Sequence, residues 1–162
     1  MSELRKLDFN PFVKFDEEWA IVTAGNRDGF NGMTISWGSA GILWNKEIIN
    51  VYIKPCRYTE SFTKENDYFT VSFFPKECRE ALNVMGTKSG RDCDKVKEAN
   101  LTPVFLKNGV DYKEASLTIV CRKIYAAPFV SELVPEFAHE RYYTKEEEHV
   151  MYIGEVVEVI QK

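Results

Sequence analysis

The stretch YFTVSFF, residues 68–74, decides the fold class. Phe69, Val71 and Phe73 alternate with Thr70 and Ser72, the period of two that sends successive side chains to opposite faces of a strand. Pro75 stops the run, because proline has no N–H for a ladder. The same signature recurs on both sides. Upstream, WAIVTAGN (19–26) is an apolar run, and Asn26-Arg27-Asp28-Gly29 reads as a hairpin turn. GMTISWG (32–38) sets Met33, Ile35 and Trp37 against Thr34 and Ser36, and EIINVYIK (47–54) is β-branched up to Pro55. Downstream, ASLTIVCRKIYAA (115–127) runs to Pro128, and VMYIGEVVEVI (150–160) is a further long strand.

Helical signals are short by comparison. They cover 57–65, 77–85 and 92–100. The second places Cys78, Ala81, Leu82 and Met85 on one face. In the third, Cys93 and Val96 face inward and Asp92 stands near the start, where the helix dipole favours a carboxylate. Residues between Pro128 and His149 form a long connection with the acidic run KEEE (145–148), a length often used for lids and binding loops. Many strands and few helices imply a mainly β fold, an antiparallel barrel with helical insertions.

The 162 residues suit one domain, and 44% hydrophobic against 28% charged residues places the chain among globular proteins rather than disordered ones. The formal net charge of -4 argues against nonspecific binding to nucleic acid or to an anionic membrane. Cys56, Cys78, Cys93 and Cys121 form no C-x-x-C pair, and with only His139 and His149 no metal site is expected. The stretch MSELRKLDFNPF lacks the apolar core of a signal peptide, and no run approaches a membrane span. A cytoplasmic protein with reduced thiols is the simplest expectation.

Against that acidic balance, GTKSGRDCDK (86–95) gathers Lys88, Arg91 and Lys95 around Ser89-Gly90, ahead of a helix. Cations and outward amides there suit an anion. The competing reading is a solvated loop in which Arg91 and Lys95 pair with Asp92 and Asp94. KPCRYTESF (54–62) puts Arg57, Tyr58 and Thr59 at the first turn of a helix, where free amides favour phosphate; Thr59 as a simple cap is the alternative. Thr34 and Ser36 suit either hydrogen bonding to a flat heterocycle or a solvent-facing strand side. His149 precedes the last strand, and a lone histidine is more often structural than catalytic.

Taken together, NGMTISWGSAGILWNK (31–46), KPCRYTESF (54–62), NDYFTVSFF (66–74), GTKSGRDCDK (86–95) and EHVMYIGEV (148–156) resemble the flavin reductase-like, FMN-binding split-barrel family, and most of all its flavoredoxin-type branch. The strings stand in the family's order and span roughly residues 10–160. The resemblance implies a six-stranded antiparallel split β-barrel with Greek-key connections, a single flavin reductase-like FMN-binding domain over residues 1–162, and FMN held noncovalently at a homodimer interface. By position, Met33, Thr34, Ile35, Ser36 and Trp37 would line the isoalloxazine and ribityl chain. Arg57, Tyr58 and Thr59 would meet the phosphate, with Lys88, Ser89, Arg91 and Lys95 adding charge and donors nearby. His149 matches the histidine of a Gly-Asp-His string that touches the nicotinamide in many reductases. Here Glu147-Glu148 replaces Gly-Asp, which weakens the nicotinamide inference more than the FMN one.

The function implied is an FMN-dependent oxidoreductase of NAD(P)H:flavin reductase type. The alternatives are a flavoredoxin-like electron carrier served by a redox protein and a noncatalytic flavin-binding module. No side-chain nucleophile or acid–base dyad is required, since the flavin carries the redox chemistry. An open barrel this rich in aromatics would expose an apolar face, so a homodimer is expected to cover Trp37, Trp44 and the last strand.

Overall fold

The alternation at 68–74 forms a strand buried on both sides, not on one. The computed structural model describes residues 3–162. In chain order its strands are β1 (Ala20–Asn26), β2 (Gly29–Ile35), β3 (Gly38–Leu43), β4 (Lys46–Ile53), β5 (Tyr68–Phe73), β6 (Pro103–Leu106), β7 (Gly109–Tyr112), β8 (Leu117–Pro128) and β9 (Val150–Gln161). The helices are α1 (Tyr58–Glu65), α2 (Arg79–Thr87), α3 (Lys95–Glu98) and α4 (Glu136–Tyr142), with short 3-10 turns and a π-helical turn at Val13–Glu18. No helix among the described residues is long and apolar enough to cross a membrane.

The main sheet is antiparallel throughout, in the order β2-β1-β5-β8-β9-β4-β3, and β6-β7 form a separate hairpin. Central β5 pairs Phe69 with Ala24 of β1 and with Cys121 of β8. Its Phe69, Val71 and Phe73 join Ile35 of β2, Ile49 and Val51 of β4, Ile119 of β8 and Tyr152 of β9 in one core, with Ala40 of β3 packed against it. Both edge strands therefore reach the same core, so the sheet curls. The edges do not pair, and the sheet stays open between β2 and β3.

The polar face of β5 is covered by the β6-β7 hairpin. Thr70 Oγ1 donates to Val110 O (2.6 Å), and Thr118 Oγ1 bonds both Ser72 Oγ (2.8 Å) and buried Asp111 Oδ1 (2.5 Å). Lys162 Nζ neutralises Asp111 at 2.7 Å, which keeps that carboxylate from standing alone in the interior. Buried hydroxyls with partners explain why the face can be polar and dry at once.

The expectation of six strands in a barrel is corrected on two points. The main sheet has seven strands, and no barrel closes. Within the main sheet the strand not anticipated is β3, GSAGIL, whose glycines and alanine carry almost no strand propensity, and the separate β6-β7 hairpin was not anticipated either. It forms because the β3-β4 turn holds it against β4, with Trp44 and Asn45 both at positive φ (50° and 58°), the two-residue hairpin geometry. β2 ends at Ile35, so Ser36 and Trp37 lie outside the strand that the alternation suggested. The helix expected at 92–100 shrinks to four residues, because Asp94 caps it by accepting from Lys97 N–H at 3.1 Å.

Candidate functional site

Two adjoining clefts open on one side of the sheet and share Met33 and Arg57. The larger, about 430 Å³, lies between the start of α1, the end of α2 and the 86–95 loop. It is lined by Met33, Arg57, Tyr58, Thr59, Lys88, Ser89, Arg91 and Lys95 of the sequence-derived candidates, and also by Asn31, Cys56 and Glu146. The smaller, about 220 Å³, is lined by Met33, Thr34, Ile35, Ser36, Trp37, Arg57 and His149, together with Tyr52, Lys54 and Tyr142. Every candidate residue thus borders one cleft or the other.

The larger cleft is built for an anion. α1 begins at Tyr58 with Arg57 as its N-cap, and no side chain caps that end. First-turn amides there lack helical partners and carry the positive end of the peptide dipoles. The Arg57 side chain is exposed, and its guanidinium makes no hydrogen bond or ion pair among the described residues. Thr59 is buried, and its hydroxyl accepts from Asn31 Nδ2 at 2.7 Å, which ties α1 to β2.

The 86–95 loop is not the self-paired solvated loop of the competing reading. Arg91 and Lys95 do not pair with Asp92 and Asp94. Arg91 donates from Nη1 to Cys56 O (3.1 Å) and lies over the Tyr58 ring at 4.8 Å. Ser89 Oγ accepts from the Arg91 amide at 3.2 Å, and Lys88 is engaged by Glu98. Lys95 is buried and donates to Met85 O (2.9 Å) and Lys88 O (3.2 Å), the carbonyl end of α2. Burial, then the charge of Arg57, lowers its pKa to about 8. Gly90 stands in a tight turn in which Asp92 N–H donates to Ser89 O at 3.1 Å. The tighter constraint is proximity: a Cβ there would lie 2.2 Å from Asn31 Oδ1 and 3.1 Å from the Tyr58 ring.

The smaller cleft is aromatic. Trp37 meets Tyr142 edge-on at 4.9 Å and His149 at 5.3 Å. Tyr143 Oη and His149 Nδ1 share a hydrogen bond of 2.7 Å, and Phe129 N–H donates to His149 O at 3.0 Å. Lys54 Nζ latches the 129–149 connection over this end by donating to Tyr142 O (2.8 Å) and Glu146 Oε2 (2.6 Å). The Thr34 hydroxyl is spent on Leu82 O at 2.5 Å, joining β2 to α2, so it has no proton left for a ring. Lys54, Asn31 and Tyr142 were missed as site residues. Only Lys54 carried a signal, its place at a strand end before Pro55.

His149 is held neutral. Burial first, then Lys54 and Arg57, lower its pKa to about 4 from the usual 6.5, and Glu146 pulls weakly the other way. As pH falls below about 6.5 the unfolded chain takes up a proton that the folded imidazole refuses, so stability is lost on acidification. We expect this group to cost about 1–2 kcal/mol by pH 5. Urea unfolding of wild type and His149→Gln at neutral pH and at pH 5 reads the difference. Equal acid sensitivity of the two proteins would remove the assignment.

A larger cavity of about 590 Å³ lies between the π-helical turn and α2, lined by Val13, Lys14, Phe74 and Arg79 among others, and holds none of the candidates. Its Arg79 is occupied structurally: it donates to Glu17 O and Glu18 O and stacks on Trp19 at 3.5 Å. Among the described residues no cluster of His, Cys, Asp or Glu side chains is placed to hold a metal ion.

The family described as "Flavin reductase like domain" matches residues 12–162 of this chain. Solved structures share the fold. A flavoredoxin from Methanosarcina acetivorans aligns with a TM-score of 0.71 at 18% identity, covering 90% of this chain and 68% of that one. An FMN-binding protein from Thermus thermophilus aligns at 0.70 and 20% identity, covering 88% and 69%. Nitrilotriacetate monooxygenase component B from Bacillus cereus aligns at 0.68 and 21% identity, covering 87% and 67%. No curated protein matches the sequence.

Proposed function

For a chain that belongs to the flavin reductase-like domain family, we propose FMN binding across the two clefts and service as an FMN-dependent oxidoreductase. The observation that carries this reading is the uncapped start of α1 beside the uncommitted Arg57, at the junction of an anion cleft and an aromatic cleft. Their volumes fall in the range of small-molecule sites, roughly 300–1,000 Å³ for the whole. The FMN phosphate would take the amides of Tyr58 and Thr59 and the charges of Arg57, Arg91 and Lys95. Met33 to Trp37 would border the ribityl chain and ring. When bound, the flavin supplies the hydride and electron chemistry. The protein's share is to bind, to orient and to shield. Neutral His149, fixed through Nδ1 by Tyr143, would border a nicotinamide from NADH or NADPH without adding charge.

An electron-carrier role is the second reading. It is favoured by Tyr142, which Lys54 holds against Trp37 at the end of the site that a nicotinamide would need. An anaerobic absorbance spectrum separates the two. Flavin bands near about 370 and 450 nm that bleach quickly with NADH or NADPH support the reductase. Bands that persist with both nucleotides favour the carrier, and no bands even after adding FMN would end the flavin reading.

Lys95 makes affinity depend on pH. Its charge is lost as pH rises through about 8, so FMN binding should weaken above that value, by about tenfold between pH 7 and pH 10. Bound phosphate would raise the pKa of Lys95 and move the loss to somewhat higher pH. A fluorescence titration of FMN across this range checks it. Lys95→Gln, which keeps a donor for the α2 carbonyls, should flatten the profile.

We further infer a homodimer that covers Trp37, Trp44 and part of β9. Trp44 is 64% exposed and Val157 43% in the single chain. Such apolar exposure is a common mark of an interface. Sedimentation as a monomer at micromolar concentration would contradict this.

A further inference from the structure

Residues 129–149 contain six Glu against Arg141 and Lys145, so this one segment accounts for the whole net charge of -4. The remainder of the chain is balanced. Glu146 and Glu148 are turned to internal use, bonding Lys54 and Ser131. Glu132, Glu136, Glu140 and Glu147 are exposed.

The same segment exposes large apolar side chains. Leu133 is 81% exposed, Phe137 70% and Val130 54%. On α4, Tyr142 packs inward on Trp37, and Ala138, one helical turn before it, is half-buried. Phe137 stands outside that inward pair and projects from the fold between Glu136 and Glu140. We propose that this ridge is a docking surface for a protein whose contact face has an apolar centre rimmed by Lys and Arg.

Aromatic anchors surrounded by a charged rim are the usual anatomy of a specific interface. Single-sign charge steers a partner of opposite sign and raises its rate of encounter. A second copy of this chain is a poor occupant. A twofold contact centred on the ridge would set two identical acidic segments face to face. Of the residues assigned above to the dimer, Trp44 and Val157 lie on other elements, the β3-β4 turn and β9, and Trp37 meets the segment at the inward-facing Tyr142 rather than at Phe137. An anionic lipid surface would be repelled by the same charge.

The ridge is also the outer wall of the aromatic cleft. Its inner side supplies Tyr142 against Trp37 and Tyr143 on His149. A partner seated on α4 is therefore about one helix diameter, roughly 10 Å, from the cleft. The significance of that position rests on the flavin reading: it is where a protein electron carrier would dock.

The test uses the full-length protein and oxidised cytochrome c, a basic, lysine-rich carrier, as the probe. Titration into isotope-labelled protein at low salt should shift backbone amides of residues 129–148. Binding should weaken about tenfold in Phe137→Ser and in the triple variant Glu132→Gln, Glu136→Gln, Glu140→Gln, and should fall steeply with salt. FMN uptake by both variants should match wild type. Shifts centred elsewhere, or wild-type binding by both variants, would overturn the proposal. So would a dimer that Phe137→Ser converts to monomer, because a second copy would then cover the ridge. A protein that takes up no FMN yet shows the shifts at 129–148 would end the flavin reading and leave the docking surface standing.

Discussion

Replacing Arg57 with Ala should weaken FMN binding about tenfold to a hundredfold while leaving the fold intact. One charge-assisted phosphate contact is worth about 1.5–3 kcal/mol, which corresponds to that range of dissociation constants. The fold should survive because the structural work of Arg57 is done by its backbone. Its N–H donates to Lys54 O, and its carbonyl accepts from Glu60 N–H, both at 3.0 Å. Alanine keeps both bonds. A second readout comes from the neighbours. The charge of Arg57 helps to depress the pKa of His149 and of Lys95, so both should rise in the variant. Histidine titration by NMR and FMN titration by fluorescence can be run on the same sample. A risen His149 pKa with unchanged FMN affinity would show that Arg57 charges the clefts but does not hold the phosphate.

The largest expected loss of stability comes from β9. Gly154 pairs with Ile49 of β4 on one side and lies beside Cys121 of β8 and the ring of Phe69. A Cβ at this position would stand 2.5 Å from Cys121 Cβ and 2.5 Å from Phe69 Cζ. Both neighbours are fully buried, so neither can swing away into solvent. Overpacking of this kind costs about 1–3 kcal/mol for a small addition. Gly154→Ala should lie near the top of that range, and Gly154→Val should exceed it. Against a typical domain stability of about 5–15 kcal/mol, the valine variant should be close to unfolding at physiological temperature. Urea denaturation gives the values. Phe69→Leu should return part of the alanine loss by withdrawing the ring atoms, and an alanine variant as stable as wild type would mean that β9 packs in another register.

The strands most visible in the chain were those whose side chains carry their own pattern. β5, β8 and β9 combine alternation with β-branched or aromatic residues and end within about two residues of the predicted limits, inside the ordinary scatter of strand boundaries. β3 was invisible for the converse reason. Glycine and alanine state no preference, and the strand exists because β4 offers it partners. α4 was missed in the 129–149 connection because its seven residues have too short an inward stripe to register as a period, and its packing rests on Tyr142 reaching Trp37 across the cleft.

The candidate site divides along the same line. Arg57, Tyr58 and Thr59 were legible at a helix start because Pro55 and the change of periodicity mark one locally. The role of Lys95 was not, since the charged string 86–95 looks like solvated surface until α2 and α3 close around it and its ammonium meets the α2 carbonyls. The turn at Gly90 was readable from the chain, whereas the second use of its missing Cβ, room for Asn31, a residue 59 positions away, was not. Propensity, periodicity and helix starts are properties of a few consecutive residues, so the chain alone settled its six patterned strands and the location of its cationic runs. Curling of the open sheet, the junction of two clefts at Met33 and Arg57, and the depressed pKa values of Lys95 and His149 arise from desolvation and charge between distant segments, and those distances exist only once the sheet has folded.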